Sequence, residues 1–148
     1  MTGYPLTEEH EAFLRALSRV VLYVPRTFQA DLGRAEGFLT SEYFVLRHLE
    51  EAPGHRLRMG DLAAETSLSP GAVTRVVKIL EGKGLAERRP NSVDGRSHDA
   101  VLTERGRRRL ESVRPALEAS VRRRVFDKLD GADLAAFTDA MNRITDGD

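Results

Sequence analysis

The chain has 148 residues, with 23 Lys and Arg against 23 Asp and Glu, 41% hydrophobic residues and no cysteine. That length suits one domain, or one domain with an appended helical arm, and the absence of cysteine excludes disulfide frameworks, thiolate zinc sites and thiol-based peroxide sensing. The charge is unevenly spread: residues 1–67 carry 7 basic and 10 acidic side chains, residues 68–109 carry 10 and 5, and residues 110–148 carry 6 and 8, a mid-chain excess of cations that suits a local nucleic-acid contact better than a general polycation.

The N-terminus, MTGYPLTEEHEAFL, lacks the basic-then-apolar order of a signal peptide. With no apolar run of membrane-spanning length, a cytoplasmic protein without a membrane partner is expected. Thr7-Glu8-Glu9 should start a first helix, a hydroxyl cap followed by carboxylates at the positive end of the dipole. Leu14, Leu17, Val21, Val24 and Phe28 then form one apolar stripe of coiled-coil spacing. Pro25 should kink or end that helix, and Gly33 and Gly37 mark a loose connection. Thr40-Ser41-Glu42 opens a second helix carrying Phe44, Val45, Leu46 and Leu49, which Ala52-Pro53-Gly54 stops. A short third helix has Met59, Leu62 and Ala63 on one face, and Thr66-Ser67-Leu68 breaks it.

Ser69-Pro70 opens a fourth helix, serine as cap and proline in the first turn. Its buried face is Val73, Val76, Val77 and Leu80, and Gly82 and Gly84 end it. Leu85–Pro90 and Ser97–Leu102 read as short strands joined around Asp94-Gly95. Thr103-Glu104 caps a long helix with Leu110, Val113, Leu117, Val121 and Val125, bent at Pro115 and broken at Asp130-Gly131. A last helix carries Leu134, Phe137, Met141 and Ile144. The first and the last two helices have apolar stripes with no obvious partner in so short a chain, so a symmetric homodimer is expected.

Residues 57–103 thus read as two short helices, a tight turn and a β-ribbon, a winged helix-turn-helix in a mainly α fold. With the valines and Leu80 inward, Thr74, Arg75 and Lys78 share the outer face of the fourth helix. A hydroxyl and two cations within one turn suit a helix entering the major groove of double-stranded DNA. Ser69 and Gly71 sit at its start, where free N–H groups favour phosphate.

The run LSPGAVTRVVKILEGKGLAERRPNSVDGRSHDAVLTERGR resembles the MarR-type winged-helix transcriptional regulators. The resemblance rests on Leu80-Glu81-Gly82-Lys83-Gly84-Leu85, on Arg88 or Arg89, on Asp94-Gly95-Arg96 and on Leu102-Thr103-Glu104-Arg105-Gly106, and it covers about residues 57–107. It implies that Arg96 reaches into the minor groove from the wing tip, where narrow A·T-rich stretches concentrate negative potential. Asp94 would orient it, or hold the base of the wing, through an ion pair, while Arg88 and Arg89 flank phosphates. Ser97-His98-Asp99-Ala100-Val101 departs from the more apolar strand usual in the family.

On this reading residues 40–107 are the winged helix-turn-helix DNA-binding lobe, and residues 1–39 and 108–148 a helical dimerisation region. The resemblance further implies a repressor released by a small, often aromatic acid bound where the dimer helices meet that lobe, with His10, Tyr43, Arg47 and His48 as candidate contacts. No cofactor and no metal are expected: histidines 10, 48, 55 and 98 are far apart and no His-x-x-x-His occurs. An enzyme is not expected either, because no histidine has a serine or cysteine partner in a motif and no glycine-rich phosphate loop precedes a helix. The competing readings are a helical protein-interaction module and an architectural DNA-binding protein without an effector.

Overall fold

The computed structural model describes residues 5–146, with Ala35 as backbone only, so Met1–Tyr4 and the last two residues of the expected dimerisation arms lie outside the described residues. The elements in chain order are α1 (Glu8–Glu36), α2 (Thr40–Glu51), β1 (Arg56–Arg58), α3 (Met59–Thr66), α4 (Pro70–Gly82), β2 (Ala86–Pro90), β3 (His98–Leu102), α5 (Glu104–Arg124) and α6 (Leu134–Thr145). The sheet order is β1-β3-β2, antiparallel throughout, with Arg58 and Arg89 both opposite Asp99. A winged helix-turn-helix made of α3, α4 and the β2–β3 ribbon sits on a frame of long helices, as the sequence led us to expect. None of the described helices is long and apolar enough to cross a membrane.

The core is a single cluster in which Leu46, Leu49, Leu62, Val73, Val77, Leu80, Leu110 and Val113 have no exposed surface. Each such side chain contributes about 1.5–3 kcal/mol, so the inward face of α4 is firmly held and its outer face is left for other work. No residue of α6 is buried, and on α1 the large apolar side chains Phe13, Leu14, Val20, Val21, Leu22 and Tyr23 are exposed.

Four local expectations change. Pro25 neither ends α1 nor leaves a loose connection after it: the helix runs on to Glu36 with Gly33 inside it. Proline removes the bond to the Val21 carbonyl, but Val21 and Pro25 are both exposed and water can satisfy that oxygen. The helix stops at Gly37, whose φ of 60° is left-handed and whose N–H bonds the Gly33 carbonyl at 3.1 Å. Second, α2 opens at Thr40 as expected, but its N-cap is the apolar Leu39, whose N–H is accepted by the Glu42 carboxylate at 2.8 Å. Third, Phe44 is exposed and Tyr43 takes the core position, their rings edge to face at 5.7 Å. Fourth, Arg56–Arg58 form a strand that the flanking Pro-Gly and Met-Gly pairs concealed.

The helical frame is pinned by ion pairs. Asp31 of α1 accepts from Ser120 at 2.6 Å and from Arg123 and Arg124 at 2.9–3.1 Å, which joins α1 to α5. The Arg124 guanidinium and then the Ser120 hydroxyl hold its carboxyl well below the usual carboxylate range. Arg114 of α5 reaches Glu50 of α2 at 2.8 Å.

The Leu-Thr-x-x-Gly segment has a mechanical reason. Thr103 caps α5 through the Gly106 N–H at 3.0 Å, and its own hydroxyl donates to the Gly84 carbonyl at 2.7 Å. A Cβ on Gly106 would lie 2.0 Å from the Leu85 carbonyl oxygen, so α5 and the start of β2 touch backbone to backbone. Gly106→Ala should therefore lower stability by about 1–3 kcal/mol, whereas Gly82→Ala, which has open space at Cβ, should leave it unchanged or slightly raised; urea unfolding of both variants measures the contrast.

Candidate nucleic-acid interface

Helix α4 starts on Ser69, whose Oγ accepts the Ala72 N–H at 3.2 Å, with Pro70 in its first turn. Because Val73, Val76, Val77 and Leu80 are buried, Thr74, Arg75 and Lys78 are turned outward and exposed. The Thr74 hydroxyl donates to the Pro70 carbonyl at 2.9 Å, so its remaining capacity toward a ligand is as an acceptor. Beyond α4, Glu81 accepts the Arg88 backbone N–H at 2.9 Å and fixes where β2 leaves the helix.

A groove lies beside α4, lined by Arg58, Met59, Gly60, Asp61, Thr74, Arg88, Ser97 and His98. Strand alternation separates the two arginines of β2. Arg88 shares the face of the buried Ala86 and Ala100, toward α3 and α4, and lines this groove. Arg89 lies on the other face, where Glu87 binds it at 2.6 and 3.0 Å. Arg58 and His98 belong to the groove too; the sequence marked His98 only as part of the departure in the strand after the wing and gave Arg58 no role, and the concealed strand β1 is what delivers Arg58 there.

The wing tip is built from side chain to backbone contacts. Asn91 Oδ1 accepts the N–H groups of Val93 and Asp94 at 2.9 and 3.0 Å, and Ser97 N–H closes a turn on the Asp94 carbonyl at 3.1 Å. Asp94 does not form an ion pair with Arg96; its carboxylate accepts the Arg96 backbone N–H at 3.0 Å. A two-residue separation favours this Asx turn, and the Arg96 side chain is left exposed and directed by the turn alone.

The base of the wing is held by Asp99, the residue for which the sequence offered no account. It is buried at 4% exposure, accepts Arg56 at 2.7 and 3.0 Å and accepts the Asn91 amide at 2.8 Å. The Asn91 amide first, then Arg56, lowers its pKa below the ordinary carboxylate value. Arg56, Asp99 and Asn91 thus connect β1, β3 and the wing turn in one chain of hydrogen bonds.

Ion pairing divides the cations. Lys83 and Arg89 bind Glu42 and Glu87. Arg58, Arg75, Lys78, Arg88 and Arg96 have no carboxylate within ion-pair distance among the described residues. They present cations without an ion pair on α4, the groove and the wing, with Asp61 the one carboxylate side chain lining the groove.

Within one chain the residues expected to hold a small acid are not brought together. His10 completes a capping box with Thr7 at the start of α1, about 40 Å along that helix from the corner with α2 at 1.5 Å per residue. Tyr43 is buried, Arg47 binds Glu51 at 2.6 Å and His48 lies 3.7 Å from Glu65. Among the described residues no group of three or more His, Cys, Asp or Glu side chains is placed to hold a metal.

Residues 36–97 match the model of the MarR family. Over 88 residues the chain is 38% identical to the HTH-type transcriptional repressor Rv2887 of Mycobacterium tuberculosis, a stretch of 57% of this chain and 62% of that protein. The structure is similar to that of AbsC, a MarR family transcriptional regulator from Streptomyces coelicolor, with a TM-score of 0.86 and 30% identity over 97% of both chains. It is also similar to Sco3205 of the same organism, a MarR family regulator crystallised in complex with DNA, with a TM-score of 0.90 and 27% identity over 98% of this chain and 91% of that one.

The relay through Asn91 can be tested on the protein alone. In Asn91→Ala the Val93 and Asp94 amides should exchange with deuterium at least about tenfold faster, a loss of roughly 1.4 kcal/mol of local protection, while the amides of α4 keep their rates.

Proposed function

The chain belongs to the MarR family, and from that premise we propose that it is a sequence-specific DNA-binding transcriptional regulator, a repressor, that works as a homodimer on a pseudo-palindromic operator. The observation that carries the reading is the division of the cations. The exposed cations of α4, the groove and the wing that form no ion pair are the ones a phosphate backbone would neutralise. On this reading α4 enters the major groove, with Arg75 and Thr74 toward base edges and Lys78 toward base edges or phosphate. Ser69 and Gly71 at its first turn and Arg88 beside it meet phosphates. Arg89 acts at most weakly, since Glu87 already neutralises it.

Arg96 enters the minor groove from the wing tip. Asp94 shapes the tip, and Arg58 and His98 join the contact surface. Residues 40–107 are the reading lobe and residues 1–39 and 108–148 the dimerisation region. Release by a small aromatic acid, which the resemblance implies, would not use His10, Tyr43, Arg47 and His48 of one chain as a set, because α1 holds His10 far from the other three.

DNA selected from a random pool, followed by fluorescence anisotropy over a salt series, tests the reading. Affinity should fall with salt by roughly 0.9 log units per log unit for each phosphate contacted, and Arg96→Ala should weaken operator binding by about 1–3 kcal/mol with the fold intact. Unchanged affinity in that variant would remove Arg96 from the minor groove, and salt-insensitive or absent DNA binding would favour a protein-interaction module.

The dimer is supported by the apolar surface left on α1 and α6. Sedimentation should show a mass of two chains rather than the 16.5 kDa of one, and Phe137→Glu should shift the protein toward monomer by at least about tenfold in dissociation constant, the effect of roughly 1.4 kcal/mol.

A further inference from the structure

The tip of the wing carries one apolar side chain, Val93, and at 86% it is the most exposed large hydrophobic among the described residues. A single exposed valine is ordinary on a protein surface. This one sits among Ser92, Asp94, Gly95 and Arg96, all exposed, in the loop that joins β2 to β3. The loop is closed behind it by the Asn91 N–H, which donates to the Ser97 carbonyl at 2.9 Å.

The backbone of Val93 is held. Asn91 Oδ1 accepts the Val93 N–H at 2.9 Å, and Asn91 Nδ2 donates at 2.8 Å to the buried Asp99, which Arg56 holds in turn at 2.7 and 3.0 Å. A chain of hydrogen bonds from the base of the wing thus ends on a residue whose side chain offers nothing polar. Three residues on, Arg96 brings N–H donors and no acceptor. Asp94, the one carboxylate of the tip, accepts the Arg96 backbone N–H.

We propose that Val93 is a specificity-determining residue, one that rejects a G·C pair beneath the wing; the assignment rests on the minor-groove reading of Arg96. In the minor groove an A·T pair shows acceptors alone, whereas a G·C pair adds the guanine 2-amino donor. Arg96 serves the acceptors. A valine laid against the groove floor and the sugar walls accepts nothing, so a guanine 2-amino group beneath it loses its water without gaining a partner, and binding weakens. The attraction of arginine to a narrow A·T stretch is electrostatic and graded along the groove. Exclusion by Val93 acts on one base pair in each half-site. The anchored backbone matters here, because a tip free to swing aside would let water return to the amino group.

The test uses the full chain and the operator selected from a random DNA pool. Each position of that operator in turn carries A·T, G·C or inosine·C, the last being G·C without the 2-amino group. Fluorescence anisotropy then gives the affinity of the parent, Val93→Thr and Val93→Ile for each duplex. Threonine keeps the branched shape and adds an acceptor. Val93 is so exposed that both variants should melt at the temperature of the parent. At one position per half-site the parent should bind G·C at least about fivefold more weakly than A·T or inosine·C. Val93→Thr should narrow that gap to less than about twofold, and Val93→Ile should keep it. A gap that persists in Val93→Thr, that inosine·C shares with G·C, or that the parent lacks overturns the assignment and leaves the DNA-binding reading in place. Failure to bind any duplex removes that reading, and the assignment with it.

Discussion

A buried carboxylate holds this molecule together. Glu42 has no exposed surface, and a charge so placed persists only if its oxygens are hydrogen-bonded and a cation stands beside it. One oxygen accepts the Leu39 N–H and so begins α2; the other accepts Lys83, which follows the last residue of α4. The start of α2 and the end of α4 are therefore fixed to one point. Apolar packing holds α4 against the core without prescribing its direction, since hydrophobic attraction is not directional. The pair with Glu42 supplies the direction.

The remaining pins extend that point outward. Arg109 binds the Glu36 carboxylate and carbonyl at the end of α1, Arg114 binds Glu50 of α2, and Asp31 gathers Ser120, Arg123 and Arg124 from α5. Backbone contact at Gly106 and the Thr103 bond to Gly84 seat α5 on the turn that follows α4. The outer face of α4 is thus oriented from behind, by groups that never reach the surface it presents. Similar logic serves the wing, where Arg56 and Asp99 act on Arg96 only through Asn91 and the turn. A side chain that must meet a ligand is left free, and its position is carried by neighbours that are not.

The apolar surface follows a different rule. The C-terminal half of α1 packs on α5 and α2 and buries Leu32, whereas among the described residues its N-terminal half and α6 bury no side chain. Helices with such faces are stabilised by burial rather than by propensity, which is the physical ground for the proposed dimer. The lobe between them has a closed core of its own.

What was legible in the sequence was periodic or local. The three-and-four spacing of Val73, Val76, Val77 and Leu80 determined which residues of α4 face outward, and Ser69, Pro70, Thr103 and Asp94-Gly95 marked where elements begin and turn, because caps and turns are satisfied within a few residues. What only the tertiary structure decided were partners distant in the chain. Asp99 and Arg56 are 43 residues apart and Glu42 and Lys83 are 41 apart; no local pattern reveals that either acid is buried or which cation it meets. The same holds for the fate of the arginines: residues 88 and 89 are alike in sequence, and the pleat of β2 places one in the groove beside α4 and the other against Glu87. The sequence by itself determined the elements and their faces, because those depend on the nearest neighbours of each residue. Tertiary structure decided which charges are spent inside the molecule and which remain for a ligand, because a buried charge is settled only by the partner that folding brings to it.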